Sequence, residues 1–170
     1  LIWQIPTQSS EIYEDAFFLK TSDLIADNNS ILFSNNKNEF FSLDINTGIL
    51  NWKQKINSNL KSTLVDNIIF AISMEGFLIV IDNHSGNIIR ITDIFRQFKK
   101  KKRSKIKPVG FIVGSENIYL TTDHGRLMII NIITGRTKSM IKIDNDKISR
   151  PFVLNQNLYI IKENSIIRLN

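Results

Sequence analysis

A sequence module recurs along this chain and limits the folds that it can adopt. The first copy reads SILFSNNKNEFFSLDINTGILNWKQKI (30–56), and the second reads NIIFAISMEGFLIVIDNHSGNIIRITDIF (67–95). The third reads NIYLTTDHGRLMIINIITGRTKSMIKI (117–143), and a fourth, NLYIIKENSIIRLN, starts at residue 157. Each copy alternates apolar runs rich in Ile, Val and Phe with polar turn residues, which indicates a chain built from β-strands.

The spacing of the copies predicts the architecture. Each copy has an Asp or Asn at one position, and in the first three a Gly follows four residues later. These residues are Asp44, Asp82, Asn131 and Asn170, with Gly48, Gly86 and Gly135. Successive copies are 38, 49 and 39 residues apart, and the interval of 49 contains an insertion. Four-stranded propeller blades repeat at roughly 40 to 50 residues. The spacing therefore predicts a β-propeller of four-stranded antiparallel blades, with about four blade modules in this chain.

The second copy illustrates the expected strands. Four candidate strands are centred near Val65, Phe70, Ile79 and Ile89, with turn residues between them. A β-sandwich or a barrel also has strands at such intervals. However, those folds do not require successive units to resemble each other, whereas stacked repeats do. The propeller is the favoured interpretation.

The turn that follows each third strand has a physical explanation. In an Asp/Asn-x-x-Ser/Thr-Gly connection the first side chain accepts hydrogen bonds from turn amides, and Gly adopts the positive φ of the hairpin. The Asp residues of the repeat are thus predicted to be turn residues without a catalytic role.

The first copy resembles the PQQ-type β-propeller repeat, whose core pattern is A-x-D-x-x-T-G-x-x-x-W. The positions of that pattern are occupied by Ser42, Asp44, Thr47, Gly48 and Trp52. The second copy has Arg90 at the Trp position, and the third has Ser139. The resemblance implies one PQQ-like repeat domain over residues 1–170, in which Trp52 docks between adjacent blades and is largely buried.

Trp3 lies in LIWQI, which matches LNWKQKI around Trp52. The chain thus starts within an outermost strand, and the fourth copy stops before its own. Either the first strand completes the last module, or the chain is the C-terminal part of a longer propeller of about seven or eight blades. We favour the second alternative. We also predict that Leu1–Ile5 pairs beside Ser165–Leu169, within one chain or by self-association with a second copy.

The net charge of +6 comes from one local run. Seven basic residues without an acidic one among them are Lys99, Lys100, Lys101, Lys102, Arg103, Lys105 and Lys107. Subtracting these seven from 22 Lys and Arg leaves 15, against 16 Asp and Glu. The run is expected to be an exposed or poorly ordered insertion loop. An acidic protein partner or anionic lipid is its alternative role, and nucleic acid is disfavoured because only Phe98 is available for stacking on bases.

Catalytic and metal-binding patterns are lacking in the sequence. The chain has no Cys, and its two His residues, His84 and His124, lie in predicted turns. No phosphate-binding loop or nucleophile motif is present. The enzymes that carry this type of repeat are quinoprotein dehydrogenases with PQQ and calcium, and no residues match their sites. We therefore predict no enzyme activity, no cofactor and no metal.

The resemblance implies a function as well. Its non-catalytic BamB-type members are protein-interaction scaffolds that assist outer-membrane protein assembly, so the implied partner is the β-barrel assembly machinery and the implied location is the periplasm at the outer membrane. No apolar run approaches the roughly 18 residues of a membrane span, and a soluble chain is expected. A quinoprotein dehydrogenase fragment, and a basic-loop binder of nucleic acid or anionic membrane, are the alternatives.

Overall fold

The computed structural model describes residues 1–8 and 19–169, which fold into fifteen β-strands and one short helix. The strands form four antiparallel sheets that follow each other along the chain, three with four strands and one with three. Within each sheet the spatial neighbours are also neighbours in sequence, so the connections are hairpins. The predicted all-β fold of successive antiparallel modules is confirmed.

The first sheet contains β1 (Ile25–Ala26), β2 (Ser30–Asn35), β3 (Glu39–Asp44) and β4 (Leu50–Gln54) in that order. The second contains β5 (Thr63–Val65), β6 (Ile68–Ile72), β7 (Phe77–Asp82) and β8 (Ile88–Asp93).

The third sheet contains β9 (Pro108–Val113), β10 (Asn117–Thr122), β11 (Arg126–Asn131) and β12 (Thr137–Lys142). The fourth contains β13 (Phe152–Leu154), β14 (Asn157–Lys162) and β15 (Ser165–Leu169). Asn170, which the repeat aligns with Asp44, lies outside the described residues.

Burial follows the sequence pattern of the strands. The middle strands β2 and β3 are buried along almost their whole length, whereas the outermost strand β4 is largely exposed. The reason is that the middle strands carry apolar residues on both faces, as in FFSL, and such strands are stable only when both faces are covered. In the first sheet Phe33 lies opposite Phe41, and Ser42 lies opposite Trp52.

The chain divides into two compact units. The first comprises Leu1–Met74 with Ile79–Ile91, and the second comprises Glu75–Leu78 with Thr92–Asn170. One buried hydrophobic cluster of the first unit comprises Leu32, Phe40, Ile56, Ile69, Ala71, Ile79 and Ile81. One cluster of the second unit comprises Leu127, Ile148, Leu158 and Ile160. The single repeat domain over 1–170 stays a prediction.

The first residues of the chain differ from the expectation. Residues 1–6 lie in none of the fifteen strands, so they do not extend the sheet that ends with β15. Instead, Ile5 packs against the cluster of Phe33, Phe41 and Leu43 in the first unit. The predicted pairing of Leu1–Ile5 beside Ser165–Leu169 within one chain is therefore not observed, because the apolar side of this segment is already used by the first sheet.

The basic run is more ordered than expected. Lys100–Arg103 forms α1, a single helical turn in which the Lys102 amide donates to the Lys99 carbonyl at 2.7 Å. Lys99 to Lys102 are exposed, as predicted. Arg103 is only partly exposed, because its side chain donates hydrogen bonds to residues of the same unit.

Candidate functional site

The repeated turn places its polar side chains in the same arrangement three times. Asp44 ends β3, and its Oδ1 accepts hydrogen bonds from the Thr47 amide and hydroxyl, both at 2.8 Å. Asp82 at the end of β7 accepts the same pair from Ser85, also at 2.8 Å. Hydrogen bonding to the ionised form favours it. The Thr47 hydroxyl and amide accordingly hold the pKa of the Asp44 carboxyl below its usual value, and Ser85 does the same for the pKa of Asp82.

The third turn uses an amide in place of a carboxylate. Asn131 ends β11, and its Oδ1 accepts from the Thr134 amide at 2.8 Å and from the Thr134 hydroxyl at 2.9 Å. Gly135 has a φ of +69°, close to the +72° of the two equivalent glycines. The turn therefore requires a hydrogen-bond acceptor at its first position, and the neutral amide oxygen of Asn serves there as well as a carboxylate oxygen of Asp.

Two indole rings dock on these turns. A Cβ placed on Gly86 would lie 2.5 Å from Cγ of Trp52, and one on Gly48 would lie 2.8 Å from Cδ2 of Trp3. Each ring also donates a hydrogen bond to the residue after the turn Asp: Trp52 Nε1 to the Asn83 carbonyl at 2.8 Å and Trp3 Nε1 to the Ile45 carbonyl at 3.2 Å. Trp3 thus docks on the turn after β3 in the same way that Trp52 docks on the turn after β7.

Trp52 packs into the first unit with most of its surface covered. Its ring stacks on Phe40 at a centroid distance of 5.8 Å and packs against the core cluster of that unit.

The third docking position has lost its aromatic ring. A Cβ on Gly135 would lie 2.5 Å from Oγ1 of Thr92, so a small side chain fills the space. Arg90, which has the Trp position in the repeat, is half-buried, and this burial lowers the pKa of its guanidinium.

A polar cavity of about 360 Å³ lies in the first unit, beside the turns of β3 and β7. Its lining includes Asp27, Asp44, Asn51, Asn83 and His84. Asp27 Oδ1 accepts hydrogen bonds from the Asn29 and Ser30 amides at 2.7 and 2.6 Å. Sequence reasoning missed this cavity, because Asp27 lies outside the repeat motif and approaches Asn83 only in the folded chain.

A second cavity, of about 470 Å³, lies in the second unit and is mainly apolar. Leu127, Leu158 and Leu169 contribute to its lining, and Glu116 is the only carboxylate among the described residues there. A lone carboxylate provides no pair of groups for acid and base catalysis.

Arg103 ties the insertion to the second unit. Its Nη1 donates to Asp93 Oδ2 at 2.6 Å, and its other guanidinium nitrogens donate to the Phe98 and Arg96 carbonyls at 2.9 and 2.7 Å. The Arg103 side chain is thus bonded within the chain, and its contact with an acidic partner stays a prediction. Lys99, Lys100, Lys101 and Lys102 remain exposed.

Other titratable groups among the described residues lie in turns or form one acidic cluster. His84 and His124 lie in turns, and His124 Nδ1 is 2.7 Å from Oδ1 of the adjacent Asp123. Asp144, Asp146 and Glu163 bring ligand atoms within 4.8 Å of one another, a cluster that the sequence did not indicate. Lys162 lies 2.9 Å from Asp144 Oδ2, and its hydrogen bond lowers the pKa of Asp144. This ion pair already neutralises the most buried carboxylate of the cluster. Among residues 1–8 and 19–169, no helix has the length and apolar character needed to span a membrane.

Successive antiparallel sheets with a recurring Asp/Asn turn and a docked indole define a β-propeller of the PQQ-repeat class. The family model described as outer membrane protein assembly factor BamB matches residues 1–92, more than half of the chain. The chain belongs to this family. No curated protein matches it significantly.

Solved structures agree with the fold. BamB from Moraxella catarrhalis superposes with a TM-score of 0.69 at 14% identity, covering 86% of this chain and 41% of that one. The computationally designed Ika4 protein gives 0.67 at 11% identity, with 88% and 89% covered. The Myceliophteria thermophila Cps50 (Swd1) β-propeller domain gives 0.67 at 13% identity, with 87% and 50% covered. The chain thus spans less than half of the BamB structure.

Proposed function

We propose that this chain is a non-catalytic scaffold that binds a protein partner and assists the assembly of outer-membrane proteins, at the periplasmic side of the outer membrane. The match of residues 1–92 to the BamB family model carries the proposal. The partner expected from that family is the β-barrel assembly machinery.

The use of the repeat's polar groups supports a non-catalytic role. Asp44 and Asp82 each direct one carboxylate oxygen at turn amides and hydroxyls, which stabilises the turn. A general base must instead be free to take a proton from a substrate. Addition of PQQ and calcium should therefore cause neither a change in absorbance nor a shift of the melting temperature. A saturable change in either would favour a quinoprotein enzyme.

Two exposed features suit a protein partner. Lys99 to Lys102 present four adjacent positive charges around one helical turn. This basic surface complements an acidic partner. The outermost strand β15 is the last in its sheet among the described residues and exposes Ile166 at 73%. Such an edge accepts an added strand from an extended peptide.

Copurification tests the proposal. The tagged chain, expressed in place of the native copy in the organism that encodes it, should retain the β-barrel assembly machinery after solubilisation of the outer membrane, and its deletion should lower the level of folded β-barrel proteins. Failure of both would contradict the proposed function.

A charge variant tests the basic surface separately. Replacing Lys99, Lys100, Lys101 and Lys102 with Gln should weaken the copurification and make it less sensitive to salt. The matched control replaces four exposed lysines from elsewhere, namely Lys55, Lys61, Lys138 and Lys147. Equal effects of the two sets would mean that net charge, rather than this surface, governs the interaction.

A further inference from the structure

Two strands of the third sheet repeat the surroundings of Trp52 without its ring. In the first sheet β3 places Ser42 opposite Trp52 on β4. In the third sheet β11 places Ile129 opposite Ser139 on β12. Ser139 therefore has the place of Trp52 in the sheet as well as in the repeat. Because a Ser side chain is far smaller than an indole, this position of the third sheet lacks the ring.

The cavity of about 470 Å³ in the second unit lies at this position. Its lining includes Ile129, which pairs with Ser139, and Ile141, two residues after Ser139 on the same face of β12. Other lining residues correspond, by the pairing of their strands, to members of the cluster that packs around Trp52 in the first unit. They are Tyr119, Leu127, Leu158 and Leu169, which correspond to Leu32, Phe40, Ile69 and Ile81.

The open space exposes apolar side chains that a ligand would cover. Ile141 is 42% exposed and Val153 is 38% exposed, and both line the cavity. Leu127 and Leu158, in contrast, are buried and belong to the hydrophobic cluster of this unit. Binding of an apolar group here is favourable, because it removes the exposed apolar surface from water.

The size and position of the cavity suit a flat ring. A cavity of about 150 Å³ lined by apolar side chains is enough for benzene, and this cavity is about three times as large. At the corresponding place in the first unit the Trp52 ring lies nearly parallel to that of Phe40, with 11° between their planes. The second unit contains no Trp that could fill its own cavity. An aromatic ring from another molecule is therefore the complementary ligand.

We propose that this cavity binds the indole ring of a Trp side chain presented by a partner protein. The ring would lie among the lining residues of the cavity as the ring of Trp52 lies among the cluster of the first unit. The proposal rests on the scaffold function only in taking the ring from a partner.

Titration of the chain, labelled with ¹³C in its Ile, Leu and Val methyl groups, with N-acetyltryptophan amide tests the cavity without any partner. The methyl signals of Ile129, Ile141 and Leu158 should shift saturably with a dissociation constant on the order of 1 mM. Those of Ile69 and Ile81, in the cluster that Trp52 already covers, serve as internal references. N-acetylleucine amide has no ring and should bind at least about fivefold more weakly.

A pair of matched variants localises the site. Ser139→Trp supplies the ring from β12 itself and should weaken binding by about tenfold or more. Lys138→Trp places the same ring on the opposite face of the strand and should leave binding within about twofold of the unmodified chain.

A second pair covers the case in which Ser139→Trp does not fold. Ile141→Gln reduces the apolar lining and should weaken binding by about threefold or more. Ile133→Gln alters a residue that is 77% exposed and is not among the described lining residues, so binding should stay within about twofold.

The outcomes separate this proposal from the scaffold function. Absence of saturable shifts, equal binding of the leucine derivative, or equal effects of the two variants of either pair would overturn the cavity proposal. Free indole that binds more than about tenfold more tightly than the tryptophan derivative would overturn a side chain as the source of the ring. None of these results depends on copurification with the assembly machinery. Conversely, a chain that fails to copurify but binds the tryptophan derivative as described would contradict only the scaffold function.

Discussion

The indole ring of Trp52 occupies the space that a side chain on Gly86 would need. A Cβ on Gly86 would lie 2.5 Å from Trp52 Cγ, and the φ of Gly86 is +72°. The glycine is therefore required twice, once by the turn conformation and once by the ring. The same pairing recurs between Trp3 and Gly48, which makes the contact a property of the repeat.

Truncation of the ring should destabilise the chain. We expect Trp52→Ala to reduce the free energy of unfolding by about 2–3 kcal/mol, less than for a fully buried Trp because Trp52 keeps some exposed surface. Trp52→Phe keeps much of the packing but loses the hydrogen bond to the Asn83 carbonyl, and should cost about 1 kcal/mol. Urea denaturation measures both. Equal stability of all three chains would show that the ring does not hold the turn.

Gly86→Ala should also destabilise, by about 2 kcal/mol or more, because it combines a strained φ with a steric clash. Gly114→Ala is the control, because Gly114 does not have a positive φ. A Cβ on Gly114 would have the Asn117 carbonyl oxygen as its nearest atom, at 3.3 Å.

The double variant Trp52→Ala with Gly86→Ala isolates the clash. Removal of the ring relieves the steric part of the Gly86 substitution. The double variant should therefore lose less unfolding free energy than the sum of the losses of the two single variants. Strict additivity would contradict direct contact between the two residues.

The turn carboxylates should make stability depend on pH. The pKa of Asp44 and that of Asp82 are both lowered in the folded chain, so their contribution is present above the ordinary carboxyl pKa of about 4 and is lost as the pH falls through the folded value. Asp44→Asn and Asp82→Asn should each flatten the fall in unfolding free energy between about pH 5 and pH 2. Urea titrations at several pH values measure the unfolding free energy. If its dependence on pH is unchanged in both variants, the turn carboxylates are not the source of that dependence.

Arg103 should stabilise the second unit more than its lysine neighbours. Its side chain bonds Asp93 and two backbone carbonyls, although about a third of it is exposed, so Arg103→Gln should cost about 1 kcal/mol. Lys102→Gln, at an exposed position of the same turn, should change stability by less than about 0.5 kcal/mol. Thermal denaturation of the two variants compares them, and a larger effect at Lys102 would be inconsistent with the observed bonds.

Self-association through Leu1–Ile5 remains a prediction. Leu1 and Ile2 are fully exposed, and β15 is the last strand of a sheet with three strands rather than four. Among the described residues that sheet has no fourth strand, and Leu1–Ile5 of a second copy is predicted to add to it after Trp3 and Ile5 leave the first sheet. Light scattering should then give a mass twice the 19.6 kDa of one chain, and Ile2→Asp should return it to that of one chain. A monodisperse monomer in the unmodified chain would disprove the exchange.

The sequence by itself determined the parts that depend on local interactions. The period of the repeat predicts the four sheets, and the strands expected near Val65, Phe70, Ile79 and Ile89 are β5 to β8. The turn after each third strand was predictable because its acceptor, donor and glycine lie within five consecutive residues, as at Asp44, Thr47 and Gly48. Such contacts form wherever the segment is placed.

Only the tertiary structure decided the contacts between distant segments. Thr92 fills the space beside Gly135, Asp27 meets Asn83 across 56 residues, and Arg103 bonds to Asp93. The physical reason is that the partner of each of these side chains depends on how sheets and loops approach each other. The residues next to a side chain in sequence do not determine that approach. The polar cavity beside the turns of β3 and β7 is a product of that approach, and its lining comes from separate segments of the chain.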